Sequence, residues 1–193
     1  MYLFFDCETG GIGPDYSLLT CYLLVADKTF NVVEDLYLYL KPDDGIYKVC
    51  GSALNVNRID LKVHDTKAIT YKEGGTKLYN FIKTYSKEGS DKLTVVGHNV
   101  AFDRDCVVQN LVNRKTWDNF CSYRMRDTSV TAGYLIDCDI LPEQSASLGS
   151  LSKYFNVSVD ENQQHDAKYD VNLTLAVYKA LVNEGSKRWL KLI

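Results

Sequence analysis

The 193-residue chain lacks any apolar run near the roughly 20 residues that a bilayer span needs, which excludes a helical membrane protein. Its start, Met1 to Asp6, lacks a basic region and meets an acid too early for a signal peptide, so an intracellular, cytoplasmic chain is expected. Proline is scarce, at three residues, and 12 glycines are too few for a disordered or linker-rich chain. There is no surplus of positive charge: 22 Lys+Arg against 25 Asp+Glu give a net charge of −3. That argues against an architectural nucleic-acid binder, whose affinity comes from a basic surface, and leaves room for an enzyme that grips a short stretch of polynucleotide. No C-x-x-C pair occurs among Cys7, Cys21, Cys50, Cys106, Cys121 and Cys138, so reduced, mostly buried thiols are expected. No G-x-x-x-x-G-K-[ST] occurs, which removes the P-loop NTPases.

What is present suits one domain over residues 1–193, with 46% hydrophobic and 12% aromatic residues to build a core. Charge is uneven. Residues 1–45 hold eight acids and two lysines, whereas residues 46–87 hold eight basic residues, Arg58 and Lys67 among them, against three acids. The basic stretch reads either as a solvated face or as a local attraction for phosphates.

The first third alternates or runs apolar as strands do, over Tyr2–Cys7, Ser17–Ala26 and Val32–Leu40, with short polar connections that suit antiparallel neighbours. Leu78, Phe81, Ile82 and Tyr85 share one face of a helix over Thr76–Tyr85. A strand at Leu93–Val96, a helix from Val100 to Asn113 and a last strand at Tyr123–Asp127 follow. Helices are expected at Thr128–Leu135, Ser147–Phe155 and Ala167–Asn183. The fold class is therefore α/β, a mixed five-stranded sheet of three antiparallel strands and then parallel additions, flanked by helices.

Three short stretches carry chemistry. In Asp6-Cys7-Glu8, strand alternation puts two carboxylates on one face about 7 Å apart, where they repel unless a hard cation such as Mg²⁺ or Mn²⁺ lies between them. In His98-Asn99-Val100-Ala101-Phe102-Asp103, Asn99 is placed to cap a helix whose first turn holds Asp103, at the carboxyl end of a strand. In His165-Asp166-Ala167-Lys168-Tyr169-Asp170, Asp166 is placed as the cap, and Asp170 heads a stripe with Thr174, Val177 and Leu181. A charge on that stripe needs a partner or a metal. Each stretch alone also fits ordinary strand-end or capping chemistry. The loop Gly10-Gly11-Ile12-Gly13-Pro14 lacks the third glycine and the following helix of a dinucleotide loop; it offers backbone N–H groups and Ile12 to a terminal base.

Taken in order, the three stretches resemble the motifs of the DEDDh 3′→5′ exonucleases, the family of polymerase proofreading subunits, ribonuclease T and oligoribonuclease. Ala53 to Ile59 is similar to a family segment near the bound 3′ nucleotide, and Asp127-Thr128 and Ser147 to Leu151 resemble the stretch before the third motif. The resemblance implies a ribonuclease H-like fold and two divalent ions, Mg²⁺ or Mn²⁺, held by Asp6, Glu8, Asp103 and Asp170, with His165 as general base. It further implies substrate contacts from Thr9, Gly10, Ile12, Asn57, Arg58, His98, Asn99 and Phe102. The expected substrate is the 3′ end of a nucleic acid, single-stranded DNA first, and a replication or repair polymerase is an expected partner. An exoribonuclease and a non-catalytic nucleic-acid binding module are the alternatives. The chain departs from the family pattern in Glu8-Thr9-Gly10-Gly11, where proofreading subunits commonly read E-T-T-G, and at Arg58, where glycine is frequent. Both departures bear on substrate preference.

Overall fold

A computed structural model describes residues 1–160 and 165–189. Six strands form one mixed sheet in the order β4-β3-β2-β1-β5-β6. The strands β1 (Tyr2–Thr9), β2 (Leu18–Ala26) and β3 (Val32–Lys41) are antiparallel neighbours. The strands β5 (Thr94–Gly97) and β6 (Arg126–Asp127) extend the sheet parallel to β1. All nine residues of β2 are buried, as a strand covered on both faces requires, and this is why its sequence reads as one apolar run.

Among the described residues the sheet has six strands rather than five, because Ile69–Thr70 (β4) pairs parallel to β3. Two residues are too few to show a period of two, so no pattern announces it. Helices α1 (Gly51–Asn57), α2 (Leu61–Asp65) and α5 (Arg114–Phe120) were likewise not expected; five to seven residues complete at most two turns. The helix α3 (Tyr71–Tyr85) begins five residues before the expected start, on a capping box between Thr70 and Glu73. Gly74 and Gly75 disguise that first turn. They are there for close approach: a Cβ on Gly75 would lie 2.2 Å from the Leu111 carbonyl oxygen.

Leu3, Phe5, Cys7 and Leu23 face α3, α4 (Val100–Asn110) and α5 in one apolar cluster with Trp117. Phe4, Tyr22 and Leu24 on the opposite face meet Ala167, Val171 and Leu175 of α8 (Ala167–Trp189). A third cluster joins α6 (Thr128–Asp137), α7 (Leu148–Tyr154) and α8 through Ala132, Leu151, Val177 and Leu181. Because β1, β5 and β6 run parallel, their carboxyl ends open on one edge, where α4 and α6 begin. That edge is where open α/β sheets gather their sites. Among the described residues no helix is long and apolar enough to cross a membrane.

Candidate active site

Asp6 and Glu8 stand opposite Tyr22 and Thr20 of β2, on the face against which α8 packs. The start of α8 is pinned across the sheet: Tyr37 on β3 donates its hydroxyl to Asp166 at 3.1 Å, and Asp166 accepts the Tyr169 N–H at 3.0 Å as the helix cap. One turn in, Asp170 accepts the His165 backbone N–H at 3.1 Å. That bond bends the chain so that His165, at φ 66°, returns over the strand end. Glu8, His165 and Asp170 each offer one ligand atom, and the three atoms all lie within 4.8 Å of one another.

The fourth carboxylate arrives from the other side of β1. Asp103, 4% exposed in the first turn of α4, accepts the Cys7 backbone N–H at 2.9 Å. Asn99 does occupy the cap position of α4, but its side chain does not cap. Its backbone is left-handed at φ 60°, and the Asp127 carboxylate accepts the Asn99 and Val100 N–H groups at 3.1 and 2.9 Å. The same carboxylate accepts Ser129 and Val130 N–H groups at the start of α6. One acid therefore caps two helices and fixes the turn that carries His98. Only its role at α6 was open to sequence reading, since the α4 contact spans 28 residues.

These carboxylates are electrostatically frustrated. Burial pushes Asp6 well above the ordinary 3.8, and Asp103, Glu8 and Asp170 push it further. Burial also carries Glu8 to about 9, reinforced by Asp170, Asp103 and Asp166 and opposed by the Asn57 amide. Asp103 rises to about 7, with the Cys7 N–H resisting, and burial raises Asp170 against the His165 N–H. Carboxylates held this close keep their charge at neutral pH only beside a cation. Oxygen donors with one imidazole are a donor set that hard divalent ions accept, so the residues fit a metal centre.

Three cavities meet here. The first, about 400 Å³, is lined by Asp6, His98, Ser147, Leu148, His165 and Asp170. The second, about 510 Å³, lies past Glu8 and Thr9 between the Gly11-Ile12 loop, Val56 and Asn57 of α1, and Phe102. Ile12 is 91% exposed and Phe102 39%, so two apolar side chains line this cavity without cover. The third runs from Glu8, Asn57 and Arg58 past Tyr37 and Tyr39 to Lys67 and His165. Gly10 is packed tightly: a Cβ there would sit 2.5 Å from the Lys48 carbonyl oxygen. Arg58 sits at φ 56°, the left-handed C-cap of α1, a conformation that glycine adopts without strain. Val56 belongs to the segment read as lying near the 3′ nucleotide, whereas nothing local marks Tyr16 or Cys50 as cavity wall rather than core.

No protein-family model matches the chain. Among curated proteins it is 25% identical over 191 residues to a ribonuclease T of Buchnera aphidicola subsp. Baizongia pistaciae, covering 95% of this chain and 82% of that one. It is also 25% identical over 193 residues to a ribonuclease T of Blochmanniella pennsylvanica, covering 94% and 84%. Among solved structures, E. coli exonuclease I in complex with a dT13 oligonucleotide superposes with a TM-score of 0.72 at 24% identity over 99% of this chain. The chain spans 42% of that exonuclease I chain. An exonuclease I from Methylocaldum szegediense gives a TM-score of 0.71 at 22% identity over 95% of this chain, and an ExoI/SSB-Ct complex shares the fold at 0.67. The structures speak to the fold; the sequence relatives bear out the resemblance that the three motifs carry.

Proposed function

We propose that this chain, a DEDDh-type 3′→5′ exonuclease acting on nucleic acid, removes nucleoside 5′-monophosphates from single-stranded 3′ ends. The observation that carries the reading is the meeting of Glu8, His165 and Asp170 within 4.8 Å, with Asp6 beside them and Asp103 reaching in through β1. The whole of residues 1–193 is read as one exonuclease domain.

Asp6, Glu8, Asp103 and Asp170 would hold two divalent ions, Mg²⁺ or Mn²⁺. When bound, such ions acidify a water and stabilise charge on the phosphoryl and leaving oxygens. The protein's own groups do the rest. Ile12 and Phe102 sandwich the terminal base, while Thr9 and Asn57 hold the sugar at the end of β1. Asn57 is itself fixed there, its amide donating to the Thr9 carbonyl oxygen at 3.0 Å. His165 takes the proton of the attacking water as its oxygen bonds to phosphorus. The P–O3′ bond breaks, the departing 3′ oxygen takes a proton from solvent, and the mononucleotide leaves. Asp170 orients His165 through the backbone N–H bond at 3.1 Å.

DNA is the first reading carried from the sequence, and the apolar walls of the second cavity, which read base faces rather than sugars, suit either nucleic acid. RNA is the second, favoured by sequence relatives named ribonuclease T. The polymerase partnership expected from the sequence draws no support from the fold neighbours, one of which is a complex with SSB-Ct. A cytoplasmic setting fits six unpaired thiols. The test is a panel of 5′-labelled single-stranded DNA, matching RNA and 3′-mismatched duplex, each with Mg²⁺ or chelator. A ladder shortening from the 3′ end in Mg²⁺ alone supports the reading and ranks the substrates. Cleavage that survives chelation, or internal cuts, overturns it.

A further inference from the structure

One hydrogen-bond chain beside the carboxylates has one proton arrangement that makes both of its contacts hydrogen bonds. Thr128, fully buried at the start of α6, has one hydroxyl proton. Its oxygen lies 3.2 Å from the Gly97 carbonyl oxygen, which can only accept, so the proton points there. His98 Nδ1 lies 2.9 Å from the same hydroxyl oxygen and, in that arrangement, donates to it. A neutral imidazole protonated on Nδ1 carries a bare lone pair on Nε2. Burial favours the neutral ring, with Asp127 the charge acting the other way. With Nδ1 turned to Thr128, the remaining edge of the half-buried ring is left for the cavity it lines with Asp6, His165 and Asp170. The pairing is held from both strands, because Asp127, the residue just before Thr128, accepts from the N–H groups of Asn99 and Val100 just after His98.

We propose that Thr128 is a positioning residue that locks His98 in the Nδ1–H form, so that Nε2 presents a hydrogen-bond acceptor to an O–H donor in the cleft. The identity of that donor rests on the nuclease reading; the locked tautomer does not. Phosphate oxygens are acceptors and gain nothing from a bare nitrogen, and the nuclease reading puts the base N–H groups in the second cavity, so the donor assigned to Nε2 in the first is a hydroxyl. Two sources supply one: a ribose 2′-hydroxyl of the strand or an ordered water.

The test combines nitrogen NMR of the histidine rings with steady-state kinetics on matched RNA and DNA oligonucleotides. Wild type and Thr128→Ser should show His98 protonated on Nδ1, and Thr128→Val should lose that preference. The valine variant should lower kcat about tenfold, the scale of one lost hydrogen bond, and the serine variant should restore it. A loss confined to RNA assigns the donor to the 2′-hydroxyl; an equal loss on both assigns it to water. The proposal falls if wild-type His98 carries its proton on Nε2, which its spectrum alone decides whether or not the valine variant folds. It also falls if Thr128→Val shifts the tautomer and kcat stays unchanged. A wild type that cleaves neither oligonucleotide overturns the nuclease reading and leaves the tautomer to the spectrum.

Discussion

The backbone N–H of Cys7 donates to the Asp103 carboxylate at 2.9 Å, joining two residues 96 positions apart. Cys7 lies between Asp6 and Glu8, so this bond ties the helix-borne acid to the very strand that carries the other two. It lowers the proton affinity of Asp103 while burial raises it, and the outcome is a carboxyl near 7. A chain that assembles four acids in this way accepts repulsion in the empty site in exchange for affinity for cations.

Asp6→Ala and Asp170→Ala should each abolish Mg²⁺-dependent shortening of a 3′ end. Each also removes a repelling carboxylate, so neither should lower the melting temperature in chelator. A gel assay paired with thermal melts checks both halves; wild-type digestion by either variant contradicts the assignment.

The metal-free protein should lose stability as pH rises. Glu8 goes from an ordinary 4.5 to about 9 and Asp103 from 3.8 to about 7 on folding. Across that window the folded state binds more protons than the unfolded one, so unfolding free energy falls with increasing pH. Melts in chelator from pH 5 to pH 9 should show the decline, with added Mn²⁺ restoring most at the alkaline end. Glu8→Gln should flatten the chelator curve.

His165→Ala should slow cleavage by about 10²-fold, the usual contribution of a general base. A rate close to that of the wild type would place proton transfer elsewhere.

Ile12→Ala and Phe102→Ala should raise KM about tenfold with kcat nearly unchanged, as expected for lost base stacking. The two side chains are exposed and support no core, so melting temperature should not move. Equal losses in kcat would instead place them at the reacting phosphate.

Much of this arrangement was legible in the sequence where it depends on local periodicity. Strand alternation alone puts Asp6 and Glu8 on one face, and the helical stripe 170, 174, 177 and 181 is buried as its spacing requires, apart from Asp170 at its open end. The antiparallel order of β1 to β3 follows from short polar connections. What the sequence withheld is either too short or too distant. The helices α1 and α2 that wall the second and third cavities complete fewer than two turns each, and β4 offers two residues. Asp127 is visible as a cap for the helix it precedes, yet its grip on Asn99 and Val100 exists only once β5 and β6 pair. The Thr128–His98 contact depends on the same pairing.

Asp127→Ala should cost about 2 kcal/mol, since it removes one cap from each of two helices. Denaturant unfolding measures it, and a loss under half that value would mean that only one of the caps matters.

Calorimetric titration of Mn²⁺ into the chelator-treated protein at pH 7, repeated in buffers of different ionisation enthalpy, tests the central claim most directly. Glu8, held near 9, must give up its proton for an ion to bind. Two ions per chain should bind with net proton release, and Asp6→Ala should lose both the heat and the protons. Binding without proton release, or undiminished in Asp6→Ala, would contradict a metal centre built on these carboxylates.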